Sequence, residues 1–258
     1  MTTLTTQQPA LRALADGTPW PGLAFGALGE RTDGELWSQT AALEVDQGAK
    51  SVTLHTCWQG AALPYTLERT VTLTTNSARL RVDYSAINNS ATLLSFIWCV
   101  HPLLAIEPGM ALRFPESARF NQWAALPPDL IGRERDLRYP LVVRVGAGVL
   151  DLTTLPDASA RIALKLWSDP LSEGWATLSA RDGEFRMRWD VALLPQVAFW
   201  MNLGAWAADG GTPYFNLGLE PCIGAQDSLA EAVTKRNLFA ALPPRGSRTW
   251  RPEVELAT

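Results

Sequence analysis

The sequence lacks several features that define other classes of protein. It contains no run of about 18 apolar residues, so we expect no membrane-spanning helix. Its lysines and arginines form no basic stripe, and the formal net charge of −4 argues against nucleic acid as a partner. Its polar start has no charged region followed by an apolar segment, so we predict no secretory signal.

Cysteine and histidine are also scarce. The three cysteines, Cys57, Cys99 and Cys222, are odd in number, widely spaced and within or next to apolar segments. This predicts buried free thiols in a reducing compartment, and hence a cytoplasmic protein. The two histidines, His55 and His101, have no spacing to each other or to the cysteines that is typical of a zinc site, so we expect no metal.

Alternation of apolar and polar residues dominates the rest of the chain. Residues 51–56, 66–73 and 79–84 alternate with a period of two, which predicts half-buried antiparallel strands. Residues 184–191 do the same, and the Asp182-Gly183 pair before them predicts a hairpin with Trp175–Ala180.

Two stretches do not alternate. Leu93–Val100 is apolar apart from one serine, which predicts a central strand buried on both faces. Phe114–Arg138 is irregular and carries prolines and arginines, which indicates a long loop or lid. Since we find no internal repeat and no linker, we predict a single domain over residues 1–258. Its class is all-β, a large antiparallel two-sheet β-sandwich with few short helices.

The stretch Tyr214–Leu229 carries the first candidate for chemistry. It begins with good strand formers and then places Glu220 directly before Pro221, which has no N–H to donate. We therefore expect the strand to end at Glu220 and to present its carboxylate there, either as a general base or as a surface side chain in a turn. Further on, Ser228 and Glu231 have the spacing of a capping box and predict a short helix.

Three motifs follow one another along the chain: Asn88-Asn89-Ser90, His101-Pro102 and Leu219-Glu220-Pro221. Together they resemble the aldose 1-epimerase (galactose mutarotase-like) family, over most of the chain from about Leu54 on. The resemblance implies a β-supersandwich fold and an enzyme that interconverts the anomers of a hexose or related aldose. It implies His101 as the catalytic acid and Glu220 as the catalytic base, with no cofactor and no metal required.

Five further residues are candidate sugar ligands. Lys165 and Trp167 share one face of a predicted strand, where they form either a sugar platform or a solvated edge. Asp169 is the nearest match to the aspartate with which the family holds a sugar hydroxyl. Asn202 is an amide within an apolar strand and needs a partner, either a ligand hydroxyl or neighbouring backbone. His55, on the polar-facing side of its strand, is the last candidate.

One feature of the family has no counterpart: the sequence contains no Asn-Arg pair, whose arginine binds the sugar. A non-catalytic carbohydrate-binding protein on the same fold, or a structural sandwich without a sugar site, is therefore an alternative. The placement of His101 and Glu220 separates these functions, because catalysis predicts that the two lie a sugar ring's width apart in one open cleft. In such a cleft Glu220 supports little packing, so Glu220→Gln is expected to leave stability almost unchanged.

Overall fold

The structure is a computed structural model and describes residues 36, 39–128, 130–131, 137–144, 148–207, 211–224 and 229–257. Ser228 of the predicted capping box lies outside the described residues, and the short helix predicted after it is present. This helix is a single α-helical turn, Leu229–Glu231, which continues into a π-helical turn, Ala232–Arg236. No helix in the described part of the chain is long and apolar enough to cross a membrane.

The described residues form nineteen β-strands, which in chain order are β1 (Ala42–Gln47), β2 (Ser51–Gln59), β3 (Tyr65–Thr74), β4 (Arg79–Asn88), β5 (Leu94–Phe96), β6 (Trp98–Cys99), β7 (Leu103–Ala105), β8 (Ala111–Arg113), β9 (Phe120–Leu126), β10 (Leu141–Arg144), β11 (Gly148–Asp151), β12 (Ile162–Ser168), β13 (Trp175–Ser179), β14 (Glu184–Arg188), β15 (Gln196–Leu203), β16 (Phe215–Ile223), β17 (Ala240–Leu242), β18 (Ser247–Trp250) and β19 (Glu253–Ala257).

Antiparallel pairing joins most of these strands into two large sheets. The first sheet has nine strands in the order β1-β2-β3-β4-β19-β14-β13-β8, with β18 also paired to β4. The second sheet has six strands in the order β6-β16-β15-β12-β9, with β7 also paired to β16. Strands β10 and β11 form a separate pair, and so do β17 and β5. The predicted all-β class with antiparallel sheets is confirmed, and so is the hairpin, which is formed by β13 and β14.

The main hydrophobic core lies between the two sheets. Alternation along the strands directs Leu67 and Val82 of the first sheet, and Phe199 and Leu217 of the second, into one cluster of buried side chains. Most strands of the two sheets therefore give one face to this core, and their remaining side chains lie on the opposite face, whereas β1 is exposed along its whole length. In the second sheet, that opposite face carries the titratable side chains of the candidate site.

Two of the expected elements are wrong. Leu93–Val100 is not one central strand, because its first half, β5, pairs with β17 and its second half, β6, pairs with β16. The run is apolar because both halves are packed, although against different partners. The predicted loop Phe114–Arg138 contains β9, a seven-residue strand that pairs with β12 at the edge of the second sheet.

A buried asparagine joins one end of the first sheet to the small pair β5-β17. The side-chain amide of Asn88 donates to the carbonyls of Thr92, Leu242 and Pro243 at 2.7, 3.1 and 2.9 Å, and its oxygen accepts the N–H of Ser90 at 2.9 Å. Asn88 is fully buried, whereas its neighbour Asn89 is exposed. Asn88 thus satisfies backbone groups in the turn after β4 and at the end of β17.

We expect Asn88→Ala to lower the free energy of unfolding by about 2 kcal/mol, because the buried carbonyl of Leu242 and two part-buried carbonyls lose their donor. Asn89→Ala removes the same group from the adjacent exposed position and should change stability by no more than about 0.5 kcal/mol. Urea unfolding of both variants measures the difference. Equal losses in the two variants would contradict this role for Asn88.

Candidate functional site

The candidate site begins at the break between β6 and β7, two short strands that both pair with β16. Strand β6 lies opposite Cys222 and Ile223, whereas β7 lies opposite Asn216–Gly218. Between them, the N–H of Val100 donates to the carbonyl of Pro221 at 3.3 Å, and the N–H of Leu219 donates to the carbonyl of Pro102 at 3.3 Å.

The same break brings the two motifs together. His101 lies between Val100 and Pro102, and Glu220 lies between Leu219 and Pro221, so the two hydrogen bonds place His101 opposite Glu220.

Strand β16 does not end at Glu220 as predicted but continues to Ile223. The carbonyl of Pro221 points to Val100, so the polar backbone groups of Pro221 face the break and not β15. An N–H missing on that side removes no hydrogen bond from the ladder with β15, which makes proline tolerable here.

Three charged or titratable side chains meet on the face of the second sheet that points away from the main core. The Nζ of Lys165 donates to Oε2 of Glu220, and Nε2 of His101 lies 3.1 Å from Oε1 of the same carboxylate. We call these residues the Lys–Glu–His triad. The side chains of Glu220, Lys165 and His101 are 0%, 1% and 4% exposed, so the triad is buried.

The neighbours of the triad leave space for its side chains and cover it. Ala198 lies directly between Glu220 and Trp167 in the register, and its short side chain leaves room beside the carboxylate. The Trp167 ring lies 4.9 Å from the Lys165 ammonium, and Cys99 Sγ donates to Glu220 Oε2 at 3.7 Å. The ammonium therefore lies between a carboxylate and an aromatic face, both of which attract a cation.

The triad fixes the charge of Glu220. Burial alone would raise the pKa of this carboxyl, but the charges of His101 and Lys165 outweigh burial and lower the pKa to about 2. Glu220 is therefore ionised at neutral pH, and its charge is balanced within the protein instead of by water.

Gly218 gives His101 its space. A Cβ added at Gly218 would lie 2.5 Å from Cε1 and 3.1 Å from Nε2 of the imidazole. The glycine is needed here for the close approach of a ring to the strand, since no side chain fits between the two.

His101 and Glu220 thus come together, but not in the arrangement that catalysis predicts. They are in direct contact instead of a sugar ring's width apart, and both side chains are buried, although His101 lines one side of a cavity of about 450 Å³. Glu220 is not a surface residue in a turn, and the expectation that Glu220→Gln barely changes stability loses its basis. Lys165 and Trp167 do share one face of β12, but this strand lies between β15 and β9 and is fully buried, so it is no solvated edge.

Asn202 has backbone partners. Its amide nitrogen donates to the carbonyl of Trp206 at 2.8 Å, and its oxygen accepts the N–H groups of Ala205 and Trp206, both at 3.1 Å. It is fully buried and holds the turn that follows β15. Of the two partners that the sequence left open, the structure shows neighbouring backbone.

Two other candidates lie apart from the triad. Asp169 is exposed just beyond the end of β12, where it accepts a hydrogen bond from the Asn121 amide at 2.9 Å. His55 is exposed on β2 of the first sheet and contacts Thr70 Oγ1 at 3.1 Å, whereas the triad belongs to the second sheet. His55 is therefore not part of the candidate site.

Metal chemistry finds no support among the described residues. No group of three or more histidine, cysteine, aspartate or glutamate side chains in this part of the chain is arranged to hold a metal ion. Cys99 and Cys222 are buried free thiols directly opposite each other in the β6–β16 ladder, and Cys57 is half-buried and also free.

The sequence did not indicate that Lys165 pairs with Glu220. The available signal was a lysine within the apolar run Ala163–Trp167, since a buried ammonium requires a carboxylate partner. Choosing that partner was not possible from the sequence, because 55 residues separate Lys165 from Glu220. Cys99, Ala198 and Gly218 gave no local signal of a role in this site.

Comparison with known proteins supports the fold alone. No family model and no curated protein matches the sequence. Among solved structures, the Slr1438 protein of Synechocystis sp. PCC 6803 has a TM-score of 0.62 and 16% identity, covering 93% of this chain and 76% of that one. A galactose mutarotase-like protein from Clostridium acetobutylicum has a TM-score of 0.56 and 10% identity, covering 93% and 78%.

A galactose mutarotase related enzyme from Lactobacillus acidophilus has a TM-score of 0.54 and 14% identity, covering 93% of this chain and 82% of that one. Some other neighbours are much longer, and the chain spans 56% of the length of one and 37% of another. These structures share the galactose mutarotase-like β-sandwich fold with this chain. At such low identity, the likeness shows the fold and gives no evidence on function.

We expect Gly218→Ala to displace the His101 ring from Glu220, because the new methyl group would overlap the imidazole. The chain has only two histidines, so a long-range ¹H–¹⁵N spectrum with His55→Asn for assignment resolves the His101 ring. Its ring signals should shift in Gly218→Ala and stay in place in Gly48→Ala, where a Cβ makes only ordinary contacts. Unchanged ring signals in Gly218→Ala would count against this role for the glycine.

The low pKa of Glu220 also predicts a pH dependence of stability. A carboxyl with a lowered pKa in the folded state contributes stability above its unfolded pKa of 4.5, and this contribution is lost as pH falls towards 2. Between pH 5 and 3 the wild type should lose on the order of 2 kcal/mol more than Lys165→Met/Glu220→Gln, which lacks the ion pair. Urea unfolding of both proteins at each pH measures this; parallel curves would refute it.

Proposed function

We propose that this protein interconverts the anomers of an aldose sugar, with His101 and Glu220 as its acid–base pair. The observation that carries the proposal is the 3.1 Å contact between the imidazole and the carboxylate. This contact joins the two groups whose chemistry mutarotation needs, on a sandwich of the galactose mutarotase-like fold. Both groups lie on the same face of the second sheet.

Mutarotation requires two proton transfers. A base removes the proton from the anomeric hydroxyl while an acid protonates the ring oxygen, so the bond between C1 and the ring oxygen opens. Rotation about the C1–C2 bond and the reverse transfers then give the other anomer. A carboxylate and an imidazole suit these steps because an ionised carboxylate can accept a proton and an imidazolium can donate one. In this assignment Glu220 is the base and His101 is the acid.

Sugar binding has to separate the pair. The anomeric hydroxyl oxygen and the ring oxygen are two different atoms, both bonded to C1. Each must come within about 2.6–3.2 Å of its own catalytic group. The sugar therefore replaces the direct contact between His101 and Glu220. Moving the imidazole away also removes one cause of the lowered pKa of Glu220, so the carboxylate becomes a stronger base when it meets the substrate.

A second function has its own support. Catalytic bases work best when their pKa lies near the working pH, whereas the pKa of Glu220 is lowered to about 2 by its two partners. A closed and charge-balanced triad is also what a structural role would produce. This favours, as the alternative, a carbohydrate-binding protein on the same fold that does not catalyse anomer exchange. In either case Asp169 is the one exposed candidate on the second sheet for holding a sugar hydroxyl.

The test is polarimetry on freshly dissolved α-glucose and α-galactose. We expect His101→Asn to lower the rate of anomer exchange at least about a hundredfold, since it removes the general acid. His55→Asn removes the exposed imidazole of the other sheet and should leave the rate unchanged. The base is tested with Lys165→Met/Glu220→Gln, because Glu220→Gln alone would leave a buried ammonium unpaired at a cost of about 3–5 kcal/mol.

Sugar binding is measured by calorimetry on the same samples. A wild type that binds sugar without accelerating anomer exchange would support the alternative function. A wild type that neither binds nor exchanges either sugar would contradict both. Circular dichroism of each variant checks that loss of rate does not come from unfolding.

A further inference from the structure

We propose that Lys165 is the positioning residue of the acid–base pair: it holds Glu220 in place and balances its charge, and it does not contact the sugar. This inference rests on the proposed function and assigns Lys165 a different part in it from that of a sugar ligand. It is carried by the division of contacts around a single carboxylate.

The two oxygens of Glu220 have different partners. Oε2 accepts from Lys165 Nζ and, at 3.7 Å, from Cys99 Sγ, whereas Oε1 faces His101 Nε2 at 3.1 Å. Because Oε2 is held on one side, the carboxylate plane is fixed and Oε1 is directed at the imidazole. The ammonium therefore orients the base towards the place where His101 lies.

The side chain of Lys165 is not accessible to a ligand. Its side chain is 1% exposed, and its ammonium is covered by the Trp167 ring at 4.9 Å. It sits in the middle of the second sheet, opposite Trp200 on β15 and Ala124 on β9. A sugar hydroxyl could reach the ammonium only after Trp167 or Glu220 had moved away.

Lys165 affects the proposed chemistry by balancing the charge of the Glu220 carboxylate. A buried carboxylate requires a counter-charge, and only Lys165 and His101 contact it among the cationic side chains of the described residues. With Lys165 present, the charge of Glu220 is balanced within the ion pair, and the imidazole is not needed as its counter-charge. Without Lys165, His101 would be the only cationic side chain among the described residues left in contact with the carboxylate.

Other titratable groups lie near the imidazole and have to be kept constant in a test. Cys99 and Cys222 share its face of the sheet, and Arg69 and Tyr84 line, together with His101, a cavity of about 450 Å³ against the first sheet. None of these groups changes when Lys165 is replaced.

The experiment compares the long-range ¹H–¹⁵N signals of the His101 ring in Lys165→Met with those of the wild type. These signals should shift in Lys165→Met, because the carboxylate that faces the ring is no longer held at Oε2. Lys50→Met removes an exposed lysine and should leave the ring signals in place. A folded Lys165→Met with unchanged ring signals would overturn the proposal.

Unfolding in urea provides a second measurement that does not require Lys165→Met to be well folded. Lys165→Met should lower the unfolding midpoint of the wild type, but it should raise the midpoint of Glu220→Gln, where the ammonium has lost its carboxylate. A lower midpoint in both backgrounds would mean that Lys165 only fills space, and the proposal would fail. Since neither measurement involves sugar, a wild type without anomer exchange would contradict the proposed function and leave this inference to be judged separately.

Discussion

The structure of the candidate site depends on one buried ion pair, between Lys165 and Glu220. Removing two charges from water costs several kcal/mol for each ion, and only close geometry with further partners offsets that cost. The second sheet provides this geometry through its register. Ala198 leaves room beside the carboxylate, and Trp167 covers the ammonium. Lys165 lies on β12, Ala198 on β15 and Glu220 on β16. The three central strands therefore cannot slip against one another without separating the charges.

The interruption between β6 and β7 has a complementary function. A continuous strand would have placed an ordinary side chain opposite Glu220, with its direction fixed by the pleat of the sheet. The break frees Val100–Pro102 from that pleat, so an imidazole can lie over Gly218 and meet the carboxylate. Irregular backbone thus brings in the imidazole, whereas regular backbone holds the carboxylate. The fixed position of the Glu220 carboxylate and the different direction of the His101 imidazole thus come from neighbouring parts of the same sheet.

Much of the fold could be predicted from local patterns, and the site only in part. Alternation along β3, β4 and β14 was readable because each of these strands has one side in the core. The alternation along β2 does not have this cause, since Val52 and Leu54 are exposed. Asp182-Gly183 marks the hairpin of β13 and β14. Strand β9 was missed because most of its side chains are half-buried on both faces, which leaves no period of two. The motifs indicated His101 and Glu220, but the closed contact between them arises from pairings over more than 100 residues, which no short stretch encodes.

The place of β19 in the first sheet has a consequence for the biosynthesis of this protein. On one side of it lie β1 to β4, which are neighbours in sequence, and on the other lie β14, β13 and β8. Among the described strands, the two halves of the sheet are joined by Glu253–Ala257, which pairs with β4 and with β14. A ribosome has therefore translated both halves before it reaches the strand that joins them. During synthesis the growing chain therefore carries two sheet edges without their partner strand, and such edges can pair with other chains until this strand has been made.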